Sequence, residues 1–134
     1  MNALFADTAY FIALLNPVDH YHACAVEMAL NPPGPLVTTS WVLVETGDAF
    51  SQPKNRMKFL RLVELLQSTV DVEVIPPSSG HLEAGIRLFG SRHDKSWSLT
   101  DCISFVVMQE RQLSDALTTD HHFSQAGFRP LMKL

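Results

Sequence analysis

Asp94-Lys95-Ser96-Trp97-Ser98-Leu99-Thr100-Asp101-Cys102-Ile103-Ser104-Phe105-Val106-Val107-Met108 is the stretch that decides how this chain reads. A polar loop runs into Ser98 and then into one of the most apolar helical segments of the sequence, spanning residues 99 to about 112. Asp101 sits in the first turn of that helix. A carboxylate there either caps the helix or does chemistry, and Ser98-x-x-Asp101 resembles a capping box with Asp in place of Glu. The flanking segments bear on the choice.

Downstream, residues 116–119 (Ala-Leu-Thr-Thr) read as a strand ending at Asp120, followed by a short helix over 121–125 and a final edge strand in Gly127-Phe128-Arg129-Pro130-Leu131. Upstream, residues 90–97 form the polar loop, and a helix begins at Ser78 or Ser79 and runs to about Phe89. Residues 70–75 alternate with period two and stop at Pro76-Pro77. Gln52-Pro53 opens a helix whose apolar face is Met57, Leu60, Val63, Leu65 and Leu66. Ser40 is placed to cap a helix over 41–50 that carries Glu45, after a strand at 36–39. Asp19 is placed to cap a helix ending at Leu30, which Asn31-Pro32-Pro33-Gly34-Pro35 terminates. At the start, residues 3–6 form a short apolar strand ending at Asp7-Thr8, and residues 9–15 a helix stopped by Asn16-Pro17. Short buried strands alternating with helices predict one α/β domain, a parallel sheet with helices on both faces.

A chain of 134 residues with 46% apolar and 18% charged residues is globular in composition and buries about two-thirds of its unfolded surface. A net charge of −4 and a pI near 5.8 exclude a protein that grips nucleic acid by bulk charge, though not an enzyme whose carboxylates hold a cation. The N-terminus lacks a basic region and carries Asp7 within its apolar run, and no stretch approaches the roughly 20 apolar residues of a membrane span. The expectation is a cytoplasmic protein without a membrane segment, with Cys24 and Cys102 as reduced thiols.

Four acids fall at comparable places. Asp7 ends the first strand, Glu45 lies in the helix after the second, Asp101 starts a late helix and Asp120 ends the fourth strand. In open α/β sheets ligands bind outside the carboxyl ends of the strands, so these carboxylates converge if the strands are parallel neighbours. Hard oxygen ligands suit Mg²⁺ or Mn²⁺ better than zinc, and such a site supports phosphodiester hydrolysis without a side-chain nucleophile. Taken singly, Asp7, Asp101 and Asp120 each have a plainer reading as helix caps. Glu45, a turn inside the apolar Val42-Leu43-Val44 segment, does not; its plainer reading is an exposed polar face. Thr8 and Thr118 are placed to orient carboxylates or to be ordinary strand-end threonines.

The arrangement resembles the PIN-domain ribonucleases, most closely the VapC-type toxins of toxin–antitoxin modules. The matching stretches are Asp7-Thr8 after an apolar strand, Val42-Leu43-Val44-Glu45-Thr46, Trp97-Ser98-Leu99-Thr100-Asp101-Cys102, and Leu117-Thr118-Thr119-Asp120-His121-His122-Phe123 leading to Gly127-Phe128. The resemblance spans essentially the whole chain and implies a PIN-like sheet of about five mostly parallel strands in the order 3-2-1-4-5. It implies that Asp7, Glu45, Asp101 and Asp120 are the metal-binding catalytic carboxylates of a Mg²⁺- or Mn²⁺-dependent endoribonuclease. No acid of the set is missing. A cognate antitoxin and a homodimer follow from the resemblance alone.

Other signals are weaker. His20-x-His22 and Asp120-His121-His122 invite a zinc reading, but no H-x₃₋₅-H spacing with cysteine partners occurs, so surface or cap histidines are expected. His121 and His122 lie beside the acids, in reach of RNA only by position. Lys54, Arg56, Lys58 and Arg61 form a basic cluster, either a solvated helix face or a strip for RNA phosphates, and Lys54, Arg56 and Lys58 are carried as RNA contacts. Trp41 and Trp97 read either as platforms for a splayed base or, more plainly, as core or interface packing, and Met28, Met57, Met108 and the phenylalanines read as core. Asp94 is expected to fasten its loop through Arg92 or Lys95. Two other readings compete with the toxin: a PIN-type RNA-processing nuclease, and a non-catalytic α/β signalling or interaction module. A receiver-type domain fits poorly, because the first strand supplies only Asp7 and the middle strand ends in Ile75-Pro76-Pro77.

Overall fold

The computed structural model describes residues 2–133. In chain order the elements are β1 (Leu4–Ala6), α1 (Thr8–Leu15), α2 (His22–Leu30), β2 (Leu36–Thr39), α3 (Ser40–Ala49), α4 (Arg56–Ser68), β3 (Val72–Ile75), α5 (Ser79–Ser91), α6 (Leu99–Glu110), β4 (Asp115–Leu117), α7 (His121–Gln125) and β5 (Arg129–Pro130). The five strands form one sheet in the order β3-β2-β1-β4-β5, and every neighbouring pair is parallel.

This order fixes where a site can form. From β1 the chain steps to β2 and β3 on one side, then crosses to β4 and β5 on the other. Right-handed crossovers in opposite directions place the helices before β3 on one face and those after β3 on the other. The order reverses between β1 and β4, and the diverging connections leave a crevice at the carboxyl ends of those strands. β1 and β4 pair in the register Phe5↔Ala116 and Ala6↔Leu117, so Asp7 and Thr118 emerge side by side.

Burial follows from position in the sheet. Central β1 (Leu-Phe-Ala) is buried throughout and is apolar at every residue, as a strand covered on both faces must be. Edge strand β3 alternates, with Glu73 exposed and tied to the end of α6 by a bidentate pair with Arg111 at 2.9 and 2.7 Å. Seven of the twelve residues of α6 are buried, which accounts for its mostly apolar run from Cys102 to Met108. α5 packs closely on α6 at Gly85, where a side chain would meet Ile103. Phe105 of α6 is the hub of an aromatic cluster, edge-on to Trp97 at 5.0 Å and to Phe123 at 4.9 Å. Trp97 also donates from Nε1 to Gln125 Oε1 at 3.0 Å, locking the loop before α6 to α7. These contacts hold the starts of α6 and α7 together.

Several boundaries differ from the sequence expectation. Thr39 rather than Ser40 caps α3, accepting from the Val42 N–H at 3.2 Å, while Ser40 Oγ donates to the Ile75 carbonyl across the sheet. Asp19 caps a turn, accepting from the Tyr21 N–H at 2.8 Å, and the helix begins only at His22. Residues 52–55 are turns, and α4 starts at Arg56. β4 stops at Leu117, opposite the last residue of its partner β1, and β5 is only two residues long. α6 ends at Glu110, two residues short of the expected end, with Gln112 at a φ of 57°. Asp94 does clasp Arg92 bidentately at 3.0 and 3.1 Å. No helix among the described residues is long and apolar enough to cross a membrane.

Candidate metal and active site

Asp7, Glu45, Asp101 and Asp120 all line one open recess of about 410 Å³ at the β1–β4 crevice, together with Thr8, Ser98 and His122. Four separate elements deliver them. Asp7 is the residue between β1 and α1, and Asp120 the residue before α7. Glu45 is half-exposed in the middle of α3, and Asp101 is buried in the first turn of α6. Among the described residues no lysine or arginine lines the recess.

Capping explains two of the four acids. Asp101 Oδ2 accepts from the Ser98 N–H at 3.1 Å while Ser98 Oγ accepts from the Asp101 N–H at 3.0 Å, a reciprocal capping box. Asp120 Oδ1 accepts from the His122 N–H at 2.9 Å. In both, one oxygen carries the structural bond and the other has no hydrogen-bond partner among the described residues. Asp7 stands at the N-cap position of α1, yet its side chain makes no cap bond. Glu45 has no hydrogen-bond partner among the described residues.

Asp7 is 4% exposed. Burial pushes its carboxyl up to about 7, and the charge of Asp101 adds to that. The hydroxyl of Thr118 opposes the shift by donating to Asp7 Oδ2 at 2.8 Å, as more weakly do the backbone N–H groups of Thr8 and Ala9. Asp101 is also raised, by burial first and the Asp120 charge second, against the Ser98 N–H and His122. Thr118 Oγ1 in turn accepts from the Asp120 N–H at 3.0 Å, so one hydroxyl couples two of the acids. Thr8 Oγ1 is buried without a hydrogen-bond partner among the described residues, so its hydroxyl orients none of these carboxylates.

The donor set fits a hard divalent cation. Carboxylates brought together with no lysine or arginine among the lining residues lack a full countercharge, which a divalent cation would supply through oxygen ligands.

A model of the PIN domain matches residues 4–129. The chain belongs to the PIN-domain family. It is 30% identical over 127 residues to the 23S rRNA-specific endonuclease VapC20 of Mycobacterium tuberculosis, spanning 93% of this chain and 95% of the relative. Among solved structures it superposes on the M. tuberculosis VapC20 sarcin–ricin loop cleaving toxin with a TM-score of 0.88 at 23% identity, covering 97% of this chain and 99% of that one. FitAcB from Neisseria gonorrhoeae shares the fold with a TM-score of 0.60 at 16% identity, covering 97% and 96%.

One feature of this PIN recess was only a positional hint in the sequence. His122 Nδ1 lies 3.1 Å from Asp101 Oδ2 and 3.3 Å from Asp120 Oδ1, bridging two carboxylates carried by different helices. The signal was its place two residues after an acid in a first helical turn. Asp120 and the rings of His121 and His122 present ligand atoms within 4.8 Å of one another, but His121 is exposed and the grouping follows from adjacency in one turn. Of the basic residues, Lys54 and Lys58 line a neighbouring recess, whereas Arg56 does not and points from the exposed start of α4.

Proposed function

We propose that this PIN-domain chain is a divalent-metal-dependent endoribonuclease that hydrolyses RNA phosphodiester bonds, and that it is the toxin of a toxin–antitoxin pair. The observation that carries the reading is the recess lined by four carboxylates from four elements with no lysine or arginine among the lining residues. Asp7, Glu45, Asp101 and Asp120 would hold Mg²⁺ or Mn²⁺. When bound, the ion supplies an activated water and neutralises charge developing on the phosphate.

The chain's own residues prepare that chemistry. Thr118 fixes Asp7 Oδ2, and the capping box fixes Asp101 Oδ2, leaving Asp101 Oδ1 free to ligate. His122 spans Asp101 and Asp120 and sets the spacing between them. The crevice is open, so an RNA strand can cross it without entering the core. The 23S rRNA cut by the M. tuberculosis relative is the first substrate to try. A cognate antitoxin and a second copy of the chain complete the proposed assembly, in the cytoplasm.

The decisive experiment is cleavage of ribosomal RNA by the purified chain with Mg²⁺ or Mn²⁺, with and without chelator. Activity should vanish on chelation and in Asp7→Asn and Asp101→Asn, with circular dichroism unchanged. Undiminished cleavage by both variants sinks the metal-nuclease reading. For the toxin role, expression of the wild type without a neighbouring gene should arrest growth; harmless expression of an active enzyme refutes that role alone.

A further inference from the structure

The acidic recess opens on two flanks that differ in charge state. Ile12 and Ala49 line both it and an adjoining recess of about 500 Å³, whose wall carries Lys54, Asn55 and Lys58. Ser96 lines both it and another recess of about 330 Å³, which carries Arg92 and Lys95. On the Ser96 flank the positive charge is already used. Arg92 is held bidentately by Asp94, and Lys95 Nζ lies 3.9 Å from the same carboxylate. On the other flank neither Lys54 nor Lys58 has a carboxylate partner among the described residues. Asn55 occupies the N-cap position of the 13-residue α4, makes no side-chain cap bond, and lines the same recess.

We propose that the Lys54–Asn55–Lys58 recess is a phosphate subsite that holds the RNA backbone next to the bond being cut. The inference rests on the endoribonuclease reading and adds the path of the substrate. A protein of net charge −4 repels RNA at long range, and four carboxylates repel a phosphate at the point of cleavage. Two ammonium groups without a carboxylate partner in the adjoining recess supply positive charge against that repulsion, screened over a Debye length of ~8 Å at physiological salt. Lysine offers a compact, freely rotating charge that suits a phosphate without reading a base. The subsite therefore positions RNA and leaves sequence choice to other contacts.

The test compares Lys54→Ala/Lys58→Ala with Lys54→Arg/Lys58→Arg and with Arg87→Gln, an exposed charge on α5 outside the recess. Cleavage kinetics and the salt dependence of binding are both measured, the latter with a fluorescein-labelled single-stranded oligoribonucleotide on an Asp7→Asn background. The double alanine variant should raise KM about tenfold with kcat within about twofold, and flatten the slope of log K against log salt by about 1.4. The arginine pair and Arg87→Gln should behave as wild type. An active double alanine variant with wild-type KM and slope overturns the proposal, as does a loss confined to kcat. If the wild type binds RNA with the slope that the double variant loses but cuts nothing, the nuclease reading fails and the subsite stands.

Discussion

Three acids away from the crevice and the acids at the carboxyl ends of the strands are treated in opposite ways. Away from the crevice, Glu73 is clasped by Arg111, Asp94 by Arg92 and Asp115 by Arg129, each pair bidentate. In each case the arginine's hydrogen bond holds the carboxyl below its ordinary range. Around the crevice, Asp7 and Asp101 are pushed upward by burial and neighbouring negative charge, and their partners are a hydroxyl, a backbone N–H and a histidine. The chain has arginines to spare for exposed pairs and places none in the recess. Three acids neutralised elsewhere and two left costly here are the contrast on which the proposed cation site rests.

The largest test of that contrast is to neutralise the most buried acid. Asp7→Asn should lower cleavage by about a thousandfold, roughly 4 kcal/mol of barrier. Removing a charge that burial disfavours should at the same time stabilise the metal-free protein at pH 8. A variant that lost activity and stability together would show that Asp7 is a structural acid like Glu73.

The same residue predicts how stability follows pH without metal. Asp7 titrates near 3.8 when unfolded and near 7 when folded. Between those values the folded state binds more protons than the unfolded one, so stability falls as pH rises and levels off above about 7. The full difference is about 4 kcal/mol. Urea melts in chelator should therefore give a midpoint higher at pH 5 than at pH 8, a gap that Asp7→Asn closes. Saturating Mn²⁺ should restore stability at pH 8 and do little at pH 5, since the ion competes with the proton. A midpoint that rose with pH in the metal-free wild type would contradict the burial of an uncompensated Asp7.

A smaller effect separates the acid from the hydroxyl that holds it. Thr118→Val keeps the shape but removes the bond to Asp7 Oδ2 and the acceptor for the Asp120 N–H. Mn²⁺ affinity by titration calorimetry should drop about tenfold. Thr118→Ser should retain it. Equal affinities in all three proteins would make Thr118 an ordinary strand-end residue.

Much of this arrangement is legible locally. Apolar runs ended by Asp7 and Asp120, the Ser98–Asp101 spacing and an acid inside an apolar helix are one-dimensional signals, and they locate the acids. What escapes is whatever depends on two elements meeting. Thr39 and Ser40 are both capable caps, and the choice falls to Thr39 because β2 pairs with β3 through that residue, drawing the Ser40 hydroxyl to the Ile75 carbonyl. β4 looks longer in sequence because Thr118 and Thr119 favour strands; it ends sooner because its partner β1 ends at Ala6, opposite Leu117. His122 bridging two acids, and Lys54 and Lys58 abutting the recess when Arg56 does not, depend on how α7 and α4 dock.

The mildest perturbation probes the other half of the contrast. Glu73→Gln breaks a bidentate pair with Arg111 whose members are half-exposed. Such a pair adds little, because water already solvates both charges and two long side chains lose freedom in forming it. The variant should lose about 0.5 kcal/mol of stability by urea melting, less at high salt, with cleavage unchanged. Its pH signature should also run opposite to that of Asp7. The Glu73 carboxyl is lowered by its arginine, so its contribution is present at neutral pH and disappears as pH falls through its folded value. If Glu73→Gln instead reduced cleavage, charge at the far edge of the sheet would be coupled to the crevice, and the division between paired and unpaired acids would not be the division between structure and chemistry.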